Sequence, residues 1–467
     1  MEYKQDVSML VSDRVSQIPK SAIHEMTRLS KEIDDVSFLS WAKPTSSTPE
    51  HINKAAIKAI NEGKTGGYSD PAGLYELREE IVKKLKEFNH IEASPDETIV
   101  TVGAIEGLAA ALMAVVDPSD EVIIPVPGYS SHIRQVVMAS GKPVCVPTIE
   151  EKGFSLDIER INDAVTDKTK AILFSDPNNP TGSVYSREEL EAVAQIACKN
   201  NFIVITDEAY EYFTFDGHKH HSIASFEGMK ERVISSFTFT KSYAMTGWRI
   251  GYVHASKELI AQVKKAHIPF AICAPVVSQY AALGALKGSK ECIDDFQRHY
   301  TTTRNLMCRR LDQLGHIFEY QKPKGSYLMF PKIKVEHSKD SLTFAKRLLK
   351  EARVSTTPGI AFRGESHLRM SFCVSEETID KAFDRMKDYF NNVLPPFLTN
   401  YLHNFLLIHG TCCFCPQMIA IAIQAVSECP RCFPSAKMAQ VKSFGQGRAS
   451  NVLLHAGKHL KSQISAP

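Results

Sequence analysis

Residues 233–254 read VISSFTFTKSYAMTGWRIGYVH. The segment opens as a β-branched and aromatic run, the pattern of a strand buried on both faces. That run ends in Thr238-Phe239-Thr240-Lys241, and Arg249 follows inside Gly247-Trp248-Arg249-Ile250-Gly251, where a second strand-like run begins. Two hydroxyls, an amine and a guanidinium are thereby gathered at a strand end. The hydroxyls and the guanidinium could hold a phosphate, arginine through its planar fork of donors. An amine partly desolvated beside another cation has a lowered pKa and becomes a nucleophile toward a carbonyl.

A phosphorylated aldehyde bound as a Schiff base needs both devices at once, and pyridoxal 5'-phosphate is such a cofactor. Outward from this segment the chain repeats one theme. Seven short apolar runs read as strands: ETIVTVG (97–103), DEVIIPVPG (120–128), KPVCVPT (142–148), AILFSDP (171–177), FIVITDEAY (202–210), VISSFTFTK (233–241) and RIGYVH (249–254). Helical patterns lie between several of them, such as 104–116 and 186–201, the latter opened by a Ser186/Glu189 capping box. Strands alternating with helices predict an α/β fold with a mainly parallel sheet and helices on both faces. The polar residues cluster just past the strand ends, where open parallel sheets bind ligands.

Composition sets the bounds. The 467 residues allow two domains of ordinary size, and 43% hydrophobic with 23% charged residues is a soluble globular composition. A formal net charge of +2 gives no electrostatic argument for nucleic acid or a membrane surface. The N-terminus has acids and no apolar core of a secretory signal, so the 11 cysteines read as free thiols of a reducing cytoplasm.

The Thr238–Lys241 and Gly247–Arg249 pair resembles the Schiff-base lysine motif of class I (fold-type I) pyridoxal phosphate-dependent aminotransferases, of the aspartate and aromatic kind, with Thr where Ser is usual. The resemblance covers about residues 10–390. It implies a seven-stranded, mainly parallel large domain with a smaller α+β domain. It also implies transamination between an L-amino acid and a 2-oxo acid, with Lys241 as the catalytic proton carrier. Gly103-Ala104-Ile105, a strand-to-helix turn, matches the cofactor-phosphate turn, joined by Thr238, Thr240 and Arg249. Tyr129, after Pro127-Gly128, matches an aromatic ring stacked on the pyridine; read alone it is as well explained by loop packing. Asn179, in Asp176-Pro177-Asn178-Asn179-Pro180-Thr181-Gly182, matches the Asn that donates to the cofactor's phenolic oxygen and to the substrate carboxylate. Asp207, at a strand end in Thr206-Asp207-Glu208-Ala209-Tyr210, requires a partner, and the resemblance supplies the protonated pyridine nitrogen. Tyr210 matches the Tyr that bonds the phenolic oxygen. Arg369 matches the arginine for the substrate α-carboxylate, and Ala42 lies near the substrate. Tyr68 matches a tyrosine that reaches the phosphate of a neighbouring subunit, so a homodimer is expected.

On this reading residues 1–50 form an N-terminal arm and part of the small domain. Residues 51–290 form the large cofactor domain and 291–392 the small one, with a long helix expected over 285–318. From Val393 onward the chain is foreign to this pattern: six Lys and Arg stand against one acid, and five cysteines cluster there. Neither those cysteines nor His218, His220 and His221 are read as a metal site, and no membrane span is expected. Two departures bear on substrate. Ala42-Lys43-Pro44 replaces a common Gly-Glu-Pro. Ile105 stands where one branch carries a Lys for a side-chain carboxylate, so aspartate is not expected as sole donor. A lyase acting on C–S bonds of cysteine-like substrates is the enzymatic alternative, and a non-catalytic cofactor-binding regulator the remaining one.

Overall fold

The computed structural model describes residues 11–335 and 340–391, all in a unit that ends at Asn391. The tail from Val393, with its cysteines and the apolar stretch 405–426, lies outside the described residues. All seven sequence runs are strands of one sheet: β1 (Thr98–Thr101), β2 (Glu121–Val126), β3 (Lys142–Pro147), β4 (Thr169–Ser175), β5 (Ile203–Asp207), β6 (Val233–Thr238) and β7 (Gly251–His254). Their order is β1-β7-β6-β5-β4-β2-β3. The five strands from β6 to β3 are mutually parallel, and β7 runs antiparallel between β6 and β1. Among the helices that pack on this sheet or join its strands are α1 (Ala104–Val115), α2 (Ser130–Met138), α3 (Arg187–Asn200) and α4 (Lys257–Ala271).

The two-residue period of a strand sends alternate side chains to opposite faces. Val122, Ile124, Leu173 and Ile205 join Leu108 and Leu112 of α1 and Ile260 and Val263 of α4 in one core. Their neighbours Ile123, Ile172, Phe174 and Val204 join Leu190, Val193 and Ala197 of α3 in another. The Ser186 side chain accepts from the Glu189 N–H while Glu189 accepts from the Ser186 N–H, so the expected capping box starts α3. A cap of this kind contributes about 1 kcal/mol.

The long helix expected over 285–318 is two helices, α5 (Val276–Lys287) and α6 (Glu291–Asp312). The break falls at Gly288, whose backbone is extended (φ −82°, ψ −177°) and where a side chain would collide with the His51 ring, and the Ser289 hydroxyl then accepts from the Glu291 N–H. Beyond α6 a three-stranded antiparallel sheet, β8 (Leu328–Met329), β9 (Thr357–Pro358) and β10 (Leu368–Ser371), carries Arg369 on its central strand β10. Ser37–Phe38 pairs in parallel with Val354–Ser355, which draws the N-terminal arm to this region. Ser40 and Ala42 follow directly.

Candidate active site

The side chains converge at the carboxyl ends of β4, β5 and β6. Lys241 lies in a short helical turn, Phe239–Ser242, that Thr238 caps by accepting from the Thr240 N–H at 3.1 Å. Its Nζ donates to the Ala42 carbonyl at 2.7 Å and lies 5.8 and 5.9 Å from the ring centres of Tyr210 and Tyr327. Tyr327 Oη donates to the same carbonyl at 3.2 Å. Burial pushes the Lys241 amine down to about 8; Arg369 and Arg249 push the same way, while Cys373 and Asp207 oppose them. The Cys373 thiol is itself pushed up to about 11 by burial, with Lys241 opposing that rise.

The second part is an anion cradle. Gly103 takes φ +77° and ψ 166° before α1, a region essentially reserved for glycine. A methyl there would lie 2.8 Å from Arg249 Nη2, so the guanidinium rests directly on this turn. A methyl on Gly251 would lie 2.8 Å from the Ala104 nitrogen, which measures how closely β7 approaches the start of α1. The free N–H groups of the first helical turn, Ala104 and Ile105 among them, together with the helix dipole favour an anion here. Thr238 Oγ1 donates to Thr240 Oγ1 at 2.9 Å beside it.

Asp207 continues the parity of Ile205, so its carboxylate emerges on the face of α1 and α2. His132 Nε2, from the first turn of α2, is 3.2 Å from Asp207 Oδ2, whereas the buried Oδ1 has no partner. A buried carboxylate oxygen without a donor is costly, and a protonated ring nitrogen would satisfy it. Tyr129 precedes α2, edge-on to His132 with centroids 5.5 Å apart. Tyr210 is buried, its ring 5.1 Å from that of Tyr327, and burial raises its pKa.

The third part joins distant segments. Buried Arg369 donates from Nη1 to Asn179 Oδ1 at 3.2 Å, and from Nη2 to the Ser40 carbonyl at 2.8 Å and to Thr357 Oγ1 at 3.3 Å. Its guanidinium stacks 4.9 Å over Phe362, and its Nε is buried without a partner. Asn179 is held in turn by its N–H, which donates to Ser175 Oγ at 3.2 Å.

Tyr68 stands apart from these groups: it is 81% exposed and lines a groove of about 480 Å³ with Ile60, Thr65, Gly67 and the 273–277 segment. Ile105 is partly exposed and its carbonyl accepts from Gln135 at 2.6 Å. His132, Ser40, Thr357, Tyr327 and Cys373 escaped the reading of the sequence. A histidine three residues after Tyr129, on the same helical face, was the one signal that could have drawn attention to His132.

The residues present fit a phosphorylated pyridine aldehyde: an amine whose pKa burial lowers, an anion cradle and an orphaned buried carboxylate oxygen. Fold and site together define a pyridoxal phosphate enzyme on a mainly parallel α/β sheet. The model of the class I and II aminotransferases matches residues 38–386, and the chain belongs to that family. It is 39% identical to an aspartate aminotransferase of Pyrococcus abyssi, over 81% of this chain and 98% of that protein. It is 37% identical to aromatic-amino-acid aminotransferase 2 of Thermococcus litoralis, over the same shares. Among solved structures, the aspartate aminotransferase of Thermotoga maritima superposes with a TM-score of 0.77 at 35% identity, over 82% of this chain and all of that one. The chain is thus a pyridoxal phosphate-dependent aminotransferase, exchanging an amino group between an L-amino acid and a 2-oxo acid.

Proposed function

We propose that Lys241 holds the cofactor through its amine and then carries the proton that moves between the substrate carbon and the cofactor. Bound, the cofactor supplies an electron sink for the substrate's Cα–H bond. Asp207 would hold the pyridine nitrogen protonated, with His132 fixing the orientation of its carboxylate. Arg249, Thr238, Thr240 and the Gly103–Ile105 turn would hold the phosphate, with Tyr129 against the ring. Tyr210 and Asn179 would donate to the phenolic oxygen. Arg369 and Asn179 would orient the substrate carboxylate, beside the Ala42 carbonyl, so that the bond to be broken faces Lys241. The observation that carries this assignment is the Lys241 amine, lowered to about 8 and enclosed by Ala42, Tyr210 and Tyr327. A base with a pKa near the working pH is efficient in both directions of a proton transfer.

The functional unit in this reading is a homodimer. The exposed groove at Tyr68 is lined by the exposed apolar Ile60 (53%) and by the 273–277 segment, which a second copy would cover while Tyr68 reaches its phosphate. The six cysteines among the described residues are all free, which fits the cytoplasm and a role in amino-acid biosynthesis there. No helix among the described residues is long and apolar enough to cross a membrane. Ile105 offers no cation for a second carboxylate, so neutral or aromatic donors should serve at least as well as aspartate.

Borohydride reduction of the holoenzyme, followed by peptide mapping, should place the cofactor on Lys241. A label on another lysine would overturn the assignment. A panel of amino donors against 2-oxoglutarate, pyruvate and oxaloacetate would then name the substrate pair, and turnover independent of any oxo acid would point to the lyase instead.

A further inference from the structure

Strand parity also sends two carboxylates to the face opposite Asp207. Asp176, just past β4, continues the parity of Phe174, and Glu208, just past β5, that of Val204. His220 stands between them, with Nδ1 3.1 Å from Asp176 Oδ2 and Nε2 2.8 Å from Glu208 Oε2. A carboxylate only accepts, so both ring nitrogens must carry hydrogen and the ring is an imidazolium. The side chains are no more than 4% exposed. Burial works against the charge on His220, but its two hydrogen bonds and the two facing carboxylates hold its pKa up at about 10.

The remaining oxygens are engaged. Asp176 Oδ1 accepts from the Tyr185 N–H at 3.0 Å and Glu208 Oε1 from Thr206 at 2.7 Å, while Oε2 accepts from Ser222 at 2.5 Å as well as from His220. Glu211 lies within 4.8 Å of Glu208 and His220 and is neutralised by the buried Lys84 amine, 2.6 Å from both of its oxygens. The cluster has the ligand types of a metal site, but in this arrangement both histidine nitrogens are taken by carboxylates and Glu211 by Lys84. It is an ion-pair network that ties two strand ends together. Asp176 lies three residues before Asn179, and Glu208 adjoins Asp207 and lies two residues before Tyr210.

We propose that His220 is a positioning residue: the Asp176 N–H already donates to the Asp207 carbonyl at 3.2 Å, and by bridging the Asp176 and Glu208 side chains His220 fixes how the chain leaves these two joined strand ends, and so aligns Asn179 with Asp207 and Tyr210. This rests on the roles proposed above for those three residues. Without the bridge two buried carboxylates repel, and the segments that carry Asn179 and Tyr210 just past the ladder shift. Displacements below an ångström at such groups change rates and affinities many-fold.

The test uses the holoenzyme of wild type, His220→Gln and the double variant His220→Gln/Asp176→Asn, which removes the stranded charge. His220→Gln should raise KM for the amino donor roughly tenfold with a smaller change in kcat. The pH midpoint of the bound cofactor's visible absorption should rise by about half a unit, as Tyr210 and Asn179 lose alignment with the phenolic oxygen. Thermal stability should fall. The double variant should recover thermal stability but neither KM nor the pH midpoint, and it serves alone if His220→Gln does not fold. Wild-type KM and pH midpoint in either folded variant would overturn the proposal, as would recovery of all three quantities together in the double variant. Failure of borohydride to label Lys241 in the wild type would instead refute the underlying site assignment.

Discussion

Lys241 should titrate near pH 8 in the cofactor-free protein, against the ordinary 10.5 of a lysine. Burial is the main cause, and the nearby cations add to it. At about 1.4 kcal/mol per pH unit, the drop favours the neutral amine by about 3 kcal/mol. At about pH 7.5 roughly a quarter of the molecules then carry a nucleophilic Lys241, compared with roughly one in a thousand for an exposed lysine. Competitive labelling of the apoprotein with a trace of amine reagent, read peptide by peptide between about pH 6 and about pH 11, measures that midpoint directly. Arg369→Gln removes a buried cation and should raise it, whereas Asp207→Asn removes an anion and should lower it.

The sign of the linked stability follows. The folded pKa lies below the unfolded one, so the unfolded chain binds this proton more tightly. The cost of the buried amine is therefore complete below about 8 and falls away as the pH rises from there toward 10.5. Lys241→Met should stabilise the apoprotein near neutrality, with the gain shrinking above about pH 8. A wild-type midpoint near 10.5, or an Arg369→Gln midpoint that does not rise, would refute the electrostatic account.

Gly103→Ala forces a side chain into a glycine-only conformation and against Arg249; it should weaken cofactor binding at least roughly tenfold and cost about 1–3 kcal/mol of stability. Fluorescence titration of the apoprotein measures the first, and an unchanged affinity would count against the cradle. Sedimentation should show a dimer, with Tyr68→Phe still dimeric but about tenfold weaker for the cofactor, the worth of one hydrogen bond to a charged group; a fully active monomer would contradict this. Ile105→Lys should raise kcat/KM for aspartate relative to neutral donors, and a wild type already strongly selective for aspartate would show that another cation reads the side chain.

The helix break at Gly288 and the clamp at His220 mark where reading along the chain stops working. A helical pattern continues through Gly288 because periodicity records which residues are apolar, not that His51 leaves no room beside the backbone. His220 sits among His218 and His221 in a polar stretch, and nothing local distinguishes the histidine that is buried between two carboxylates. His132 was missed for the same reason, since its partner Asp207 is 75 residues away.

What the sequence determined by itself is local: seven β-branched runs, the capping box at Ser186, and the short motifs around Lys241, Asn179, Asp207 and Arg369. A strand's two-residue period even decides that Asp207 and Glu208 leave β5 on opposite faces. Tertiary structure alone decided which groups meet. Arg369 reaches Asn179 across 190 positions and the Ser40 carbonyl across 329, and the Lys241 amine finds the Ala42 carbonyl across 199. The Asp207 oxygen left without a donor, and the lysine held near neutrality, likewise depend on what the fold removes from water. Side-chain type and spacing follow the chain, whereas desolvation and pairing are properties of a volume that segments far apart in sequence enclose together.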